Sequence, residues 1–225
     1  MQAIATSPGA QSAVPLDLKR AGRYLIFHLG VEEFGTEVPK VREIRGLQDI
    51  AVGIGECKVS NNPADTLVTH ALGSCIALVL YDPVARVAGL LHYMLPESSL
   101  DPDKAVNRPF MFADTGIPRL LLSAWQLGAA KSRSVFMAAG GAQMLDPNGT
   151  FNIGHCNHMA MRKICWKAGI TVHKEEIGGT SSRTLRFDVA CGRVQLRTSA
   201  GAEENMAINS GKIGASDGLQ DTHHR

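Results

Sequence analysis

Neither sign of charge dominates this chain: 23 basic and 21 acidic side chains leave a formal net charge of +2 over 225 residues. The basic patch that would draw a phosphate backbone is therefore missing, and nucleic acid is not an expected partner. No apolar run reaches the roughly 18 residues of a membrane-spanning helix, and the first residues lack a basic stretch leading into an apolar one. A cytoplasmic protein without membrane insertion is expected. The signature of a disulfide framework is missing too. Cys57, Cys75, Cys156, Cys165 and Cys191 are odd in number and scattered, with no C-x-x-C pair, so reduced thiols are expected.

With 44% hydrophobic residues the chain can bury one substantial core. Both ends are poor in large apolar side chains, and residues 1–23 and 199–225 are expected to be disordered tails. Between them, short apolar runs alternate with helical patterns and are broken by turn signals such as Asn61-Asn62-Pro63, Asp82-Pro83 and Asp146-Pro147-Asn148-Gly149. The pattern predicts strands over 51–58, 65–72, 75–81, 87–94, 133–139, 170–176, 184–189 and 193–198. It predicts helices over 118–127, with Asp114 and Thr115 available for capping and Pro118 in the first turn, and over 155–167, stopped by Gly169. The expected fold is α+β, a mixed β-sheet sandwich-like domain covered by helices.

The apolar run Ser74 to Tyr81, the turn residues Asp82 to Ala85 and the apolar run Arg86 to Met94 read as a hairpin. With residues 82–85 as its loop, paired positions sum to 167 and Cys75 falls opposite His92. Directly opposed side chains share a face with Cβ atoms roughly 5 Å apart, so a thiol and an imidazole would meet. An error of one residue in loop length would turn one of them away. Such a couple suits acyl transfer from an amide. The thiolate attacks, a free cysteine with pKa near about 8.5 is mostly protonated at neutral pH, and an imidazole can take that proton and later give it to a leaving amine. Gly73 permits close backbone approach, the amides near Ser74 and Cys75 face a possible oxyanion, and Gly140-Gly141 offers a similar contribution.

Each of these residues also has an ordinary reading. A cysteine in an apolar strand is usually a small core residue, a histidine among Leu90, Leu91, Tyr93 and Met94 is usually a satisfied core or rim residue, and a Gly-Gly pair usually marks a tight turn. Thr69 taken alone is an unremarked strand residue. His155, Cys156, His158 and Cys165 are residue types that bind zinc, but their spacing fits no usual zinc pattern, so no metal or other cofactor is expected. Cys57, Cys165 and Cys191 read as packing residues.

The words of the sequence then add up to a likeness. Thr69-His70-Ala71-Leu72-Gly73-Ser74-Cys75, Asp82-Pro83 and Gly89-Leu90-Leu91-His92-Tyr93-Met94-Leu95-Pro96 together resemble the chemoreceptor glutamine deamidase family, CheD. The likeness runs on through Ala113-Asp114-Thr115, Gly140-Gly141-Ala142, Asn152-Ile153-Gly154, Asn157 and Gly178-Gly179 with Arg183, and so covers about residues 50–198. It implies a Cys–His–Thr triad falling on Cys75, His92 and Thr69, the threonine orienting the imidazole. It further implies hydrolysis of chemoreceptor glutamine side chains to glutamate with release of ammonia, and partnership with a CheC-type phosphatase. Two departures stand out: Cys156 where the family usually has arginine, and Cys191 where threonine is common. Residues 24–47 resemble instead the opening of the chemotaxis coupling protein CheW, over a stretch too short to bury a core of its own. Two rival readings use the same residues: a non-catalytic regulatory module that binds the phosphatase, and a general thiol protease.

Overall fold

Two stretches of the sequence, 76–82 and 87–93, show no alternation of apolar and polar residues, and strands of that kind need cover on both faces. The computed structural model, which describes residues 24–29, 32–37, 48–143 and 152–206, provides that cover. The chain falls into two units, Met1–Arg45 and Gly46–Arg225. In the first, β1 (Tyr24–Leu29) and β2 (Glu32–Glu37) form an antiparallel hairpin with Leu29 opposite Glu32. The expected tail 1–23 and the turn at Asp146–Gly149 lie outside the described residues.

The second unit is built around β6 (Ile76–Asp82) and β7 (Val87–Tyr93), in which every residue is buried. They lie inside a five-stranded inner sheet with β4 (Glu56–Ser60), β8 (Val135–Gly140) and β9 (Val172–Ile177), in the order β4-β7-β6-β8-β9. The outer sheet joins β3 (Gln48–Ala51), β5 (Asp65–Leu72), β10 (Arg183–Asp188), β11 (Val194–Thr198) and β12 (Glu203–Met206), in the order β12-β11-β10-β5-β3. Both sheets are mixed: β3–β5 and β8–β9 run parallel and the other pairs antiparallel. One core, with Leu67, Leu185, Phe187, Val79 and Leu90, fills the space between the sheets. A second, with Leu78, Leu91, Ile117, Leu120 and Met161, lies between the inner sheet and the helices α2 (Ala113–Gln126) and α3 (Ile153–Lys167). The layers explain the sequence patterns. β11, covered on one face, alternates buried Val194 and Leu196 with exposed Gln195 and Arg197, while β6 and β7 are sandwiched and do not alternate. The α+β sandwich covered by helices is thus present.

Several boundaries differ from expectation for identifiable reasons. The predicted strand 51–58 is two strands, β3 and β4, because Gly53-Ile54-Gly55 makes a turn in which Gly55 takes φ +71° and Glu56 donates to Gly53 O. Helix α2 begins at Ala113, five residues before Pro118, since Ala113 N–H is held by Leu95 O and Phe112 is fully buried. The missing N–H of Pro118 removes one helical bond without ending the helix. Asp114 and Thr115 do not cap it: Asp114 accepts from Ser98 N–H and Oγ, and Thr115 donates to Pro109 O. Helix α3 starts at Ile153 and ends where Gly169 takes φ +60°, as the sequence suggested for its stop. The short helix α1 (Pro102–Asn107) was not expected, and β12 extends the outer sheet into the supposed C-terminal tail.

The β6–β7 hairpin carries the correction with the largest consequence. Its loop is residues 83–86, as long as expected but displaced by one, and the register runs from Ile76↔Tyr93 to Asp82↔Val87. Paired positions therefore sum to 169, so Ala77 rather than Cys75 lies opposite His92. A change of two preserves parity, and Cys75, Ala77 and His92 stay on one face as diagonal neighbours. The displacement comes from Asp82, whose carboxylate belongs to the strand end and accepts from the Val84, Ala85 and Ala130 amides. It also pairs with Arg133 at 2.8 Å while itself fully buried. Burial alone would raise this carboxyl, but the guanidinium and the three amides hold it below its ordinary pKa. Replacing Asp82 with alanine should therefore destabilise the protein by about 3 kcal/mol, the low end for breaking a buried pair because Arg133 is partly solvated. Urea unfolding would measure it, and a loss below about 1 kcal/mol would show that the turn does not depend on this carboxylate.

Candidate active site

Thr69 belongs to the outer sheet and His92 to the inner one, and their side chains meet in the core between them. On β5, Leu67 and Thr69 face inward by ordinary alternation. Leu72 faces inward as well, because Leu185 pairs with Thr69 while Arg183 pairs with Leu72, leaving an extra residue on β5. Ala71 absorbs this bulge at φ +55°, an uncommon conformation for a residue with a Cβ. Thr69 is 0% exposed and His92 1%.

The threonine hydroxyl decides the state of the imidazole. Its oxygen lies 2.7 Å from Val52 O and 2.8 Å from His92 Nδ1. A carbonyl can only accept, so the single hydroxyl proton goes to Val52 O, and the oxygen accepts from Nδ1–H. The proton of the neutral ring is thereby assigned to Nδ1, and Nε2 is left as the basic nitrogen. Among the described residues Nε2 has no hydrogen-bond partner, although it is buried.

Cys75 closes the set. It lies on the inter-sheet face at 7% exposure, at the end of a bend, residues 73–75, that connects β5 to β6. All three carbonyls of the bend are held: Gly73 O by Ala142 N–H at 2.7 Å, Ser74 O by Asn157 Nδ2 at 3.0 Å, and Cys75 O by Gly141 N–H at 2.8 Å. Gly140 makes this approach possible, since a Cβ there would lie 2.1 Å from Cys75 O, and its φ is +121°. The Gly141 amide is thus engaged with the backbone of Cys75. That bond holds the backbone of the cysteine in place. Thiol and Nε2 are not hydrogen-bonded to each other here, which is common before substrate tightens such a couple.

Both partners rest in the neutral state. Burial pushes the Cys75 thiol up, as it does for Cys57, to about 12, and Cys165, to about 11. What distinguishes Cys75 from those packing cysteines is therefore its neighbour, not its acidity. Burial pushes His92 down to about 4, against a smaller opposing pull from Val52 O and Glu56. These directions do not favour a standing thiolate–imidazolium pair between the two side chains.

The remaining candidates fall elsewhere. His158 pairs with Glu175, which also lies 3.7 Å from Arg162, while His155 and Cys156 are exposed. Among the described residues no group of three His, Cys, Asp or Glu could hold a metal. Cys191 is exposed and does not pack as expected. The contribution of Val52 O escaped sequence reasoning because a backbone carbonyl has no residue signature. Asn157 was visible only as part of a family likeness.

The depressed imidazole has a consequence for stability. An unfolded histidine titrates near 6.5 and the folded one near 4, so unfolding takes up a proton between these values, and stability is lost as pH falls from 6.5 toward 4. Acidification from neutrality to about pH 4.5 should therefore cost the protein roughly 2–3 kcal/mol more than it costs His92→Asn. Urea midpoints of the two proteins at each pH would reveal it, and equal losses would show that the imidazole is not buried neutral.

The family model described as "CheD chemotactic sensory transduction" matches residues 94–198, a stretch that includes Asn157 but begins after Thr69, Cys75 and His92. The probable chemoreceptor glutamine deamidase CheD of Solibacter usitatus is 48% identical over 158 residues, 70% of this chain and 94% of that protein. The corresponding probable CheD 1 of Syntrophus aciditrophicus is 49% identical over 153 residues, 68% of this chain and 96% of its own. Among solved structures, the hypothetical protein YfiH of Bacillus licheniformis aligns over 55% of this chain and 49% of that one, with 11% identity and a TM-score of 0.28. With relatives almost half identical along nearly their whole length, the chain belongs to the chemoreceptor glutamine deamidase family, CheD.

Proposed function

We propose that this chain hydrolyses selected glutamine side chains of chemoreceptors to glutamate, with Cys75 as nucleophile, His92 as general base and acid, and Thr69 as the residue that orients the imidazole. The observation that carries this reading is the bond from His92 Nδ1–H to Thr69, which leaves Nε2 basic on the face shared with Cys75. Nε2 takes the thiol proton as sulfur attacks the side-chain amide carbon. The tetrahedral intermediate carries an oxyanion for which the Ser74 and Cys75 amides are the candidate donors. Its C–N bond breaks as Nε2 returns the proton to the leaving nitrogen, releasing ammonia and leaving a thioester. Water, deprotonated by Nε2, attacks the thioester, and the thiolate recovers its proton from the imidazolium.

The likeness of residues 24–47 to the opening of CheW points to the same signalling pathway, and the setting proposed is the cytoplasm. Among the described residues no helix is long and apolar enough to cross a membrane. Partnership with a CheC-type phosphatase enters this reading through family membership alone.

Purified chemoreceptor incubated with the protein should gain about one dalton per modified glutamine by mass spectrometry, with ammonia released and the receptor backbone intact. Cys75→Ala, which removes little volume, should fold and be inactive, and His92→Asn should lose about a hundredfold or more. Thr69→Ala should lose less than His92→Asn. A folded Cys75→Ala variant that deamidates near the parent rate would overturn the mechanism, and backbone cleavage would reassign the protein as a protease.

A further inference from the structure

Asn157 lies on α3, apart from the three residues proposed to do the chemistry, and is 0% exposed. Its Nδ2 donates to Ser74 O at 3.0 Å and to Met94 O at 2.8 Å. Ser74 immediately precedes Cys75, and Met94 lies two residues beyond His92. Both neighbours are carbonyl oxygens, so the amide must turn its NH2 group toward them, and the orientation of the side chain follows from chemistry alone. The consequence is that, among the described residues, Oδ1 is buried with no hydrogen-bond partner. Such an orphan costs about 1–3 kcal/mol, so this placement is poor for stability taken by itself.

The backbone of the same residue is tied to the same strand, because Tyr93 Oη donates to Asn157 O at 3.0 Å. Asn157 thus grips β7 at positions 93 and 94, just beyond His92, and the bend just before Cys75. The need for this grip follows from the register. The β6–β7 ladder ends at Ile76↔Tyr93, and its next pair would be Cys75 with Met94. At that point the strands part, and the Asn157 amide spans the gap between Ser74 O and Met94 O. No ladder bond relates the nucleophile to the strand of its base; this side chain does.

We propose that Asn157 is a positioning residue that sets the separation of the Cys75 thiol from His92 Nε2. This rests on the reading of Cys75 and His92 as the catalytic couple. Misplacement of a reacting pair by about 1 Å can cost up to a hundredfold in rate, which is the scale at issue.

The test uses Asn157→Ser, which removes both donors, and Asn157→Asp, of the same size but with acceptor oxygens facing the two carbonyls. Cys165→Ala, a buried substitution on the same helix, is the control for destabilisation. Either folded Asn157 variant should lower kcat for receptor deamidation at least tenfold with KM within about threefold, while Cys165→Ala stays within twofold of the parent. A kcat within twofold of the parent in a folded Asn157 variant, or an equal loss in Cys165→Ala, would overturn the proposal, and so would failure of both Asn157 variants to fold. Alkylation of Cys75 by iodoacetamide, followed by peptide mass spectrometry, separates this inference from the functional reading, since it needs no receptor. His92→Asn should slow alkylation at least fivefold in the parent background and less than twofold in the folded Asn157 variant. Equal effects in both backgrounds would sink the positioning role even if the parent deamidates receptors. A parent inactive on receptors, with the alkylation coupling intact, would sink only the functional reading.

Discussion

The hydrogen bond between Thr69 and His92 joins the two sheets inside the core that separates them, and much of the molecule is arranged so that it can form. Thr69 must face inward on β5, which the preceding alternation provides and the bulge at Ala71 then corrects so that Leu72 can also pack inward. Val52 must present its carbonyl to the hydroxyl, and the bond from Val52 N–H to Val68 O at 2.7 Å fixes it beside β5. Removing that carbonyl would free the hydroxyl proton to point at the imidazole, and the ring would then accept at Nδ1 and carry its proton on Nε2. A main-chain oxygen in a connecting turn thus selects the tautomer on which the proposed base depends.

Burial has opposite effects on the two halves of the couple, and both favour neutrality. It raises the thiol and lowers the imidazole, so the site carries no standing charge in the space between the sheets. An unpaired charge there would be costly, and a permanent ion pair would have to repay two desolvations. A neutral couple avoids both costs, and in the proposed mechanism it separates charge only along the reaction, when donors near the developing oxyanion would stabilise it.

What was legible in the sequence follows the distinction between side-chain patterns and backbone consequences. Unbroken apolar runs revealed β6 and β7 as the two strands of a hairpin, and that hairpin brought Cys75 and His92 to one face on local reasoning alone. The exact partner was misjudged because Asp82 was taken as a loop residue, whereas its carboxylate caps the turn from the strand end. That error moved the register by two and left the shared face intact; an error of one would have destroyed the inference. Thr69 could be joined to the couple only through family likeness, because nothing local relates a β5 residue to one on another sheet. The Gly53–Gly55 turn had visible glycines and could have been read. The early start of α2 rests on Leu95 O and buried Phe112, which are tertiary and leave no local trace.

On the proposed role of Cys75 as nucleophile, the bend at residues 73–75 gives a physical reason for its place just outside a ladder and not within it. A cysteine at position 77, inside the strand and directly opposite His92, would sit among amides committed in alternation to β7 and β8. No amide there could turn toward an oxyanion. At position 75 the carbonyls are fixed instead by Gly141, Ala142 and Asn157, donors drawn from the loop after β8 and from α3. The backbone is held as firmly as a strand, yet its N–H groups need not join the ladder. The cost is dependence on three converging segments. Gly140 can hold no larger residue without meeting Cys75 O, and Gly154 none without meeting Gly141 O, where a Cβ would lie at 2.4 Å. Tolerance to substitution around this bend is therefore set by backbone packing against backbone, which cannot be relieved by choosing another rotamer.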